Sequence, residues 1–253
     1  MSKRDDVSLK YNYSKRIQKL SGILFYLNFL SSIMTLFFYG EVKDKLILLQ
    51  IVLAIIMTVL SLIDDDIFWY NAEFNRRKSA VEHAFEIDLT GLKTEEYYNN
   101  SIKPSMKKYI VNIFESVFFT KNILEKMILG SLIKVVLILI VFIIACIEFE
   151  NGEALLLIAQ TFLSGNYIVG FIKQIICGVR IKNLYERFYN SLVTVGVTSS
   201  KQQNSLFSDA LEYEAVKAHY KVRLSSRVFS KLNEKLSSDW EEIENKIKFQ
   251  SKK

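Results

Sequence analysis

The sequence predicts an all-α membrane protein, with four transmembrane helices arranged as two hairpins and helical extensions on the cytoplasmic side. Three observations carry this expectation. Four windows, residues 20–39, 46–63, 128–147 and 154–176, reach the ~18–20 apolar residues that a helix needs to cross a bilayer. One proline and nine glycines in 253 residues are too few for a β-sandwich, which turns every ~8–12 residues. Lys and Arg are segregated: six fall in residues 1–19, nine in 64–127, fourteen from 177 onward, and none in "EFENGE" at 148–153. By the positive-inside rule both termini and residues 64–127 are cytoplasmic, and the two short loops lie outside.

Taken in order, residues 1–19 are a basic cytoplasmic N-terminus. Lys10, Lys15, Arg16 and Lys19 precede the first apolar window. That window is too long for the core of a signal peptide, and "FFYGEV" is no cleavage site, so a retained helix is expected. "GEVKDK" joins it to the second window, closing hairpin 1 over residues 20–63. Residues 64–127 form a cytoplasmic helical segment. Its first helix continues the second span over 67–89, with Phe74, Val81, Phe85 and Leu89 as an apolar stripe. "GLKTEEYYNNSIKP" breaks it, and Pro104 fits the first turn of the next helix. That helix carries Tyr109, Ile110, Ile113, Phe114 and Val117 on one side. Hairpin 2 occupies 128–176, where Lys134 and Lys173 are close enough to the window ends to reach the cytoplasmic surface. Residues 177–253 are cytoplasmic helices, with "TVGVTSSKQQNS" as a linker. Leu224, Val228, Leu232, Leu236, Trp240, Ile243 and Ile247 recur at three and four, the pattern of an amphipathic helix or coiled coil.

Two constellations stand out. Ser21, Asn28, Ser31, Ser32 and Thr35 project within one face of the first span, and Gln160 and Ser164 make a polar patch in the fourth. Such a stripe either packs by interhelical hydrogen bonds, worth ~1–2 kcal/mol or less each, or lines a pore. Asp64, Asp65 and Asp66 follow the second span, with Arg76, Arg77 and Lys78 further on. The acidic run pairs with nearby basic residues or, repeated in an oligomer, forms a cation-selecting ring at a cytoplasmic gate. His83, beside Glu82 and Glu86, reads as a solvated face. No Walker loop, GxGxxG, HExxH or GxSxG occurs, and Cys146 and Cys177 have no CxxC partner. No catalytic residue, metal site or cofactor is expected. The net charge of +6 forms no dense tract, so a specific nucleic-acid partner is not expected either.

"FWYNAEFNRRKSAVEHAFEIDL", then "YYNN" and "NIFESVFFTKNILEKM", resemble the four-transmembrane effectors of bacterial nucleotide-signalling defence systems, the SMODS-associated and SLATT-like groups. The shared element is Asn71, Ala72, Glu73, Arg76, Arg77 and Lys78, and the likeness spans about residues 20–176. It implies a dormant, homo-oligomeric pore in the bacterial inner membrane that disrupts the bilayer on an infection signal, as an antiviral effector. Two other readings remain open. One is a non-conducting anchor or scaffold whose cytoplasmic helices recruit a signalling partner; the other is a small transporter subunit. Against the latter, no window shows the paired Gly/Pro breaks of discontinuous helices.

Overall fold

A computed structural model describes residues 6–35, 37–92, 98, 100, 102–148, 167–197 and 199–250. Among the described residues every regular element is helical. They are α1 (Asp6–Met34), α2 (Glu41–Ile63), a π-helical turn (Asp64–Trp69), α3 (Tyr70–Phe85), α4 (Met106–Glu148), α5 (Tyr167–Tyr189), a second π-helical turn (Asn190–Val195), α6 (Ser200–Tyr220) and α7 (Ser226–Gln250). The expected all-α class is observed. The part of the fourth window before α5, with Gln160 and Ser164, lies outside the described residues.

Several boundaries differ from the sequence expectation, each for a local reason. α1 begins at Asp6, so the basic N-terminus and the first apolar window are one helix. Nothing between Lys10 and Lys19 breaks a helix. α3 stops at Phe85 because Glu86 turns to φ 54. There the Glu82 carboxylate accepts hydrogen bonds from the Leu89 amide at 2.6 Å and the Thr90 hydroxyl at 2.8 Å. Leu89 lies beyond this turn and is exposed, as is Phe74, and the buried positions of α3 are Ala72, Glu73, Ser79, Ala80 and Ala84. Pro104 lies just outside α4, whose cap is Ser105: its hydroxyl accepts from the Lys108 amide at 3.2 Å. The second half of "TVGVTSSKQQNS" is helix, because Ser199 and Gln202 form a reciprocal capping box that starts α6.

The chain divides into two compact units. The first comprises Met1–Asp5, Asn75–Ser131 and Phe171–Lys253. Its centre is the early part of α4, where Ile110, Val111, Ile113, Phe114 and Val117 are all at most 1% exposed. Phe114 stacks on Phe188 of α5 at 5.5 Å and meets Trp240 of α7 edge-on at 5.2 Å. Each such aromatic contributes about 1.5–3 kcal/mol by burial. Polar links fix the rotation of the helices around α4. Thr120 bonds the Tyr213 hydroxyl at 2.9 Å, Arg77 pairs with Glu214 at 2.7 Å, and Arg187 pairs with Asp209 at 3.0 Å and with Glu212. Gly178 lets α5 approach α4 closely, since a Cβ there would lie 2.9 Å from Ile128 Cδ1.

The second unit comprises Asp6–Phe74 and Leu132–Gly170. Among the described residues its buried hydrophobic side chains are Val7, Phe25, Leu53, Met57, Trp69, Ala72 and Val135. Its surface is apolar. Ile23, Tyr26, Leu27 and Leu30 on α1, Leu48, Ile51, Ile55 and Leu62 on α2, and Ile133, Leu137, Ile143 and Ile147 on α4 are all exposed. Among the described residues one helix, Glu41–Phe85, is long and apolar enough to cross a membrane by length and composition; only 17% of its apolar window is buried.

Candidate functional site

α1 and α2 are antiparallel, joined by a turn in which Gly40 takes φ 59. Two contacts fix their register. Ser31 Oγ donates to the Leu46 carbonyl at 3.3 Å, and Tyr11 meets Trp69 edge-on at 5.4 Å. On α1 the residues turned inward are Val7, Tyr11, Ser14, Ser21, Phe25, Asn28 and Ser32, with Thr35 just past its end, spaced by three, four or seven, and Ser31 is buried beside Ser32. On α2 they are Leu46, Gln50, Leu53, Met57, Leu60 and Asp64. Both runs follow the 3.5-residue repeat of a coiled-coil seam, yet α1 supplies mostly polar residues to it. The register sets Asn28 level with Gln50, Phe25 with Leu53, Ser21 with Met57, and Ser14 with Asp64.

The expected stripe thus sits inside the hairpin of one chain. Ser31, Ser32, Asn28 and Thr35 are at most 4% exposed, and Ser21 is half-buried. Thr35 Oγ1 donates to the Ser32 carbonyl at 2.6 Å, and the exposed Gln18 donates to Ser14 Oγ at 3.0 Å. Three side-chain atoms, Asn28 Oδ1, Ser32 Oγ and Gln50 Nε2, are sealed from solvent with no hydrogen-bond partner among the described residues. A buried polar group left this way costs about 1–3 kcal/mol. The closed seam therefore carries a local destabilisation that packing elsewhere must offset.

The acidic run occupies the π-helical turn that joins α2 to α3. A π-turn carries one extra residue and shifts the helical phase. The inward position passes from Asp64 to Trp69, a step of five rather than three or four. Asp64 is buried, Asp65 half-buried and Asp66 exposed, so the three carboxylates do not share one environment. Beyond the turn Tyr11 donates to Glu73 Oε1 at 2.9 Å, and Tyr13 stacks on Phe68 at 5.5 Å. The seam thus ends in two buried acidic residues, Asp64 and Glu73, framed by aromatic rings.

The basic residues Arg76, Arg77 and Lys78 belong to the other compact unit. Arg77 is committed to Glu214, donating from Nε at 2.7 Å. The same Glu214 charge, after burial, raises the Tyr109 hydroxyl to about 12, with Arg77 opposing it. His83 meets Tyr98 edge-on at 5.6 Å and borders an open cleft of about 500 Å³ with Glu82, Glu86, Asp88 and Lys108. Among the described residues no group of three His, Cys, Asp or Glu side chains is arranged to hold a metal ion. Cys177 is buried, which pushes its thiol up to about 11.

Sequence reasoning missed Gln50, Ser14 and Glu73 as members of the seam. The signal for Ser14 was available, since it lies one heptad before Ser21; the signal for Gln50 was its being the single amide side chain within the second window, where Thr58 and Ser61 are the other polar residues. No family model matches this chain, and neither curated proteins nor solved structures provide a match.

Proposed function

We propose that this chain is an integral membrane protein of four spans that forms a pore in the bacterial inner membrane, resting closed and opening on a signal received by its cytoplasmic helices. The observation that carries the reading is the polar seam inside an apolar-clad hairpin. A helix pair that served only as an anchor would be more stable with apolar residues at Asn28, Ser32 and Gln50, since their buried polar atoms go unpaired. A conduit needs those residues to meet water once it opens. The dimensions also support a membrane setting. The 23 residues of α2 rise ~34 Å, close to the ~30 Å hydrocarbon core. Exposed Phe37, Phe38 and Tyr39 stand at one end and Phe68, Trp69 and Tyr70 at the other, where aromatic belts occur. The resemblance to four-transmembrane defence effectors supports the same role, with homo-oligomerisation completing the conduit.

The scaffold alternative draws on the C-terminal amphipathic helix and on the wide basic surface of the segments expected to be cytoplasmic. The apolar stripe of that helix is used internally: Leu236, Trp240, Ile243 and Ile247 are buried in the first unit's core. The test of the pore is purified protein in liposomes. Triple replacement of Asn28, Ser32 and Thr35 with Leu is expected to abolish ion flux and overexpression toxicity without changing membrane content or oligomer size. Flux retained at the wild-type level in this variant would overturn the seam as the conduit lining.

A further inference from the structure

The seam is not uniformly polar. Between the Asn28–Gln50 level and the Ser14–Asp64 level lie Phe25, Leu53 and Met57, each at most 8% exposed. Ser21 is the one polar residue beside them on α1, and it is half-buried. On the side of the hairpin turn, Asn28, Ser31, Ser32, Thr35 and Gln50 are polar and buried. On the π-turn side stand Ser14, Asp64 and Glu73, likewise buried.

We infer that the α1–α2 seam takes up water and small cations at the Asn28–Ser32–Gln50 level, and that Phe25, Leu53 and Met57 form the apolar gate that stops them there. Three unpartnered atoms point to the ligand: an amide oxygen, a hydroxyl and an amide nitrogen. Water is the small species that donates to the first, exchanges with the second and accepts from the third. A partly hydrated monovalent cation uses the same Asn28 and Ser32 oxygens. Separating the helices by one water diameter satisfies all three atoms, so opening is favoured at this level. At Phe25, Leu53 and Met57 the same separation exposes apolar surface and gains no hydrogen bond, and narrow apolar constrictions exclude water by dewetting. Beyond the gate the lining turns polar again at Ser14, Asp64 and Glu73. The inference rests on the pore reading only for the direction and consequence of flow.

The test uses the full chain with Cys146 and Cys177 replaced, in cells and in proteoliposomes. Ser32→Cys and Ser21→Cys report on the two sides of Leu53 through a charged, membrane-impermeant thiol reagent added from the hairpin-turn side. With Leu53 intact, Ser32→Cys is modified and Ser21→Cys is protected. In Leu53→Asn, which has the same side-chain branching and heavy-atom count, Ser21→Cys becomes reactive by about tenfold or more and cation flux rises without a signal, because a polar layer no longer dewets. If Leu53→Asn fails to insert, Met57→Gln replaces it in the same measurements. Ser21→Cys protection unchanged in a correctly inserted Leu53→Asn or Met57→Gln overturns the gate. So does modification of Ser21→Cys as fast as Ser32→Cys with Leu53 intact. Reactivity that crosses the layer with no ion flux upholds the gate and removes the pore reading.

Discussion

Glu115 shows how one side chain couples the first unit to pH. It projects from α4, and burial raises its carboxyl to about 8, with the Glu244 charge adding to the effect. Its Oε2 atom has no hydrogen-bond partner. Below about pH 4.5, the ordinary value for such a group, folded and unfolded chains both hold this proton. Between about 4.5 and 8 only the folded chain keeps it, because the unfolded chain is free to ionise, so stability falls across this window as pH rises. Glu115→Gln removes the titration while retaining the shape. Thermal unfolding in detergent should show no difference from wild type near pH 4.5 and a gain of several degrees for the variant near pH 8.5. A difference that does not grow with pH would mean that the carboxyl is solvated. Asn112, one turn earlier and fully buried, accepts from Asn100 at 2.7 Å through Oδ1. It ties Asn100 to the same helix.

At the scale of elements, α7 gives the sharpest expectation. Trp240 packs on both Phe114 and Phe118, at 5.2 and 5.8 Å. Trp240→Asp should therefore unfold the first unit, at a cost of about 3–5 kcal/mol or more from lost aromatic packing and a buried charge. Limited proteolysis of detergent-solubilised protein would read this as new cleavage within residues 200–250, and unchanged resistance would refute it. This element was legible in the sequence because its apolar residues recur at three and four, and the early α4 stripe was legible for the same reason. The seam on α1 was only half legible. Its face could be read from Ser21 to Thr35, but hydropathy marks cores by apolar residues, so a polar core looks like a surface or a pore. The start of α6 was hidden in another way: the Ser199–Gln202 cap is written in the sequence, but its polar neighbours imitate a linker. The π-turn at Asp64–Trp69 has no signature, since one extra residue in a helix changes only the phase. The basic triplet was read as one cluster, whereas the fold gives Arg77 a dedicated partner in Glu214 more than a hundred positions away.

For the whole molecule, the charge asymmetry of the loops sets the expected topology. In a chain without Cys146 and Cys177, Lys45→Cys should label from outside intact cells, and Lys235→Cys only after permeabilisation. Exterior labelling at 235 would refute the four-span arrangement. The two compact units are interleaved along the sequence, one formed by residues before, between and after the segments that form the other. The order of synthesis follows from this. The ribosome delivers every segment of the apolar-surfaced unit before it delivers α6 and α7, and α7 brings the Trp240 that closes the first unit's core. The first unit's core therefore closes last in every newly made chain, because Phe114 and Phe118 of early α4 lack their Trp240 contact until the end of translation. A nascent chain stalled before α7 would hold every segment of the second unit but not the ring that closes the first, and such a chain is the form most exposed to quality control.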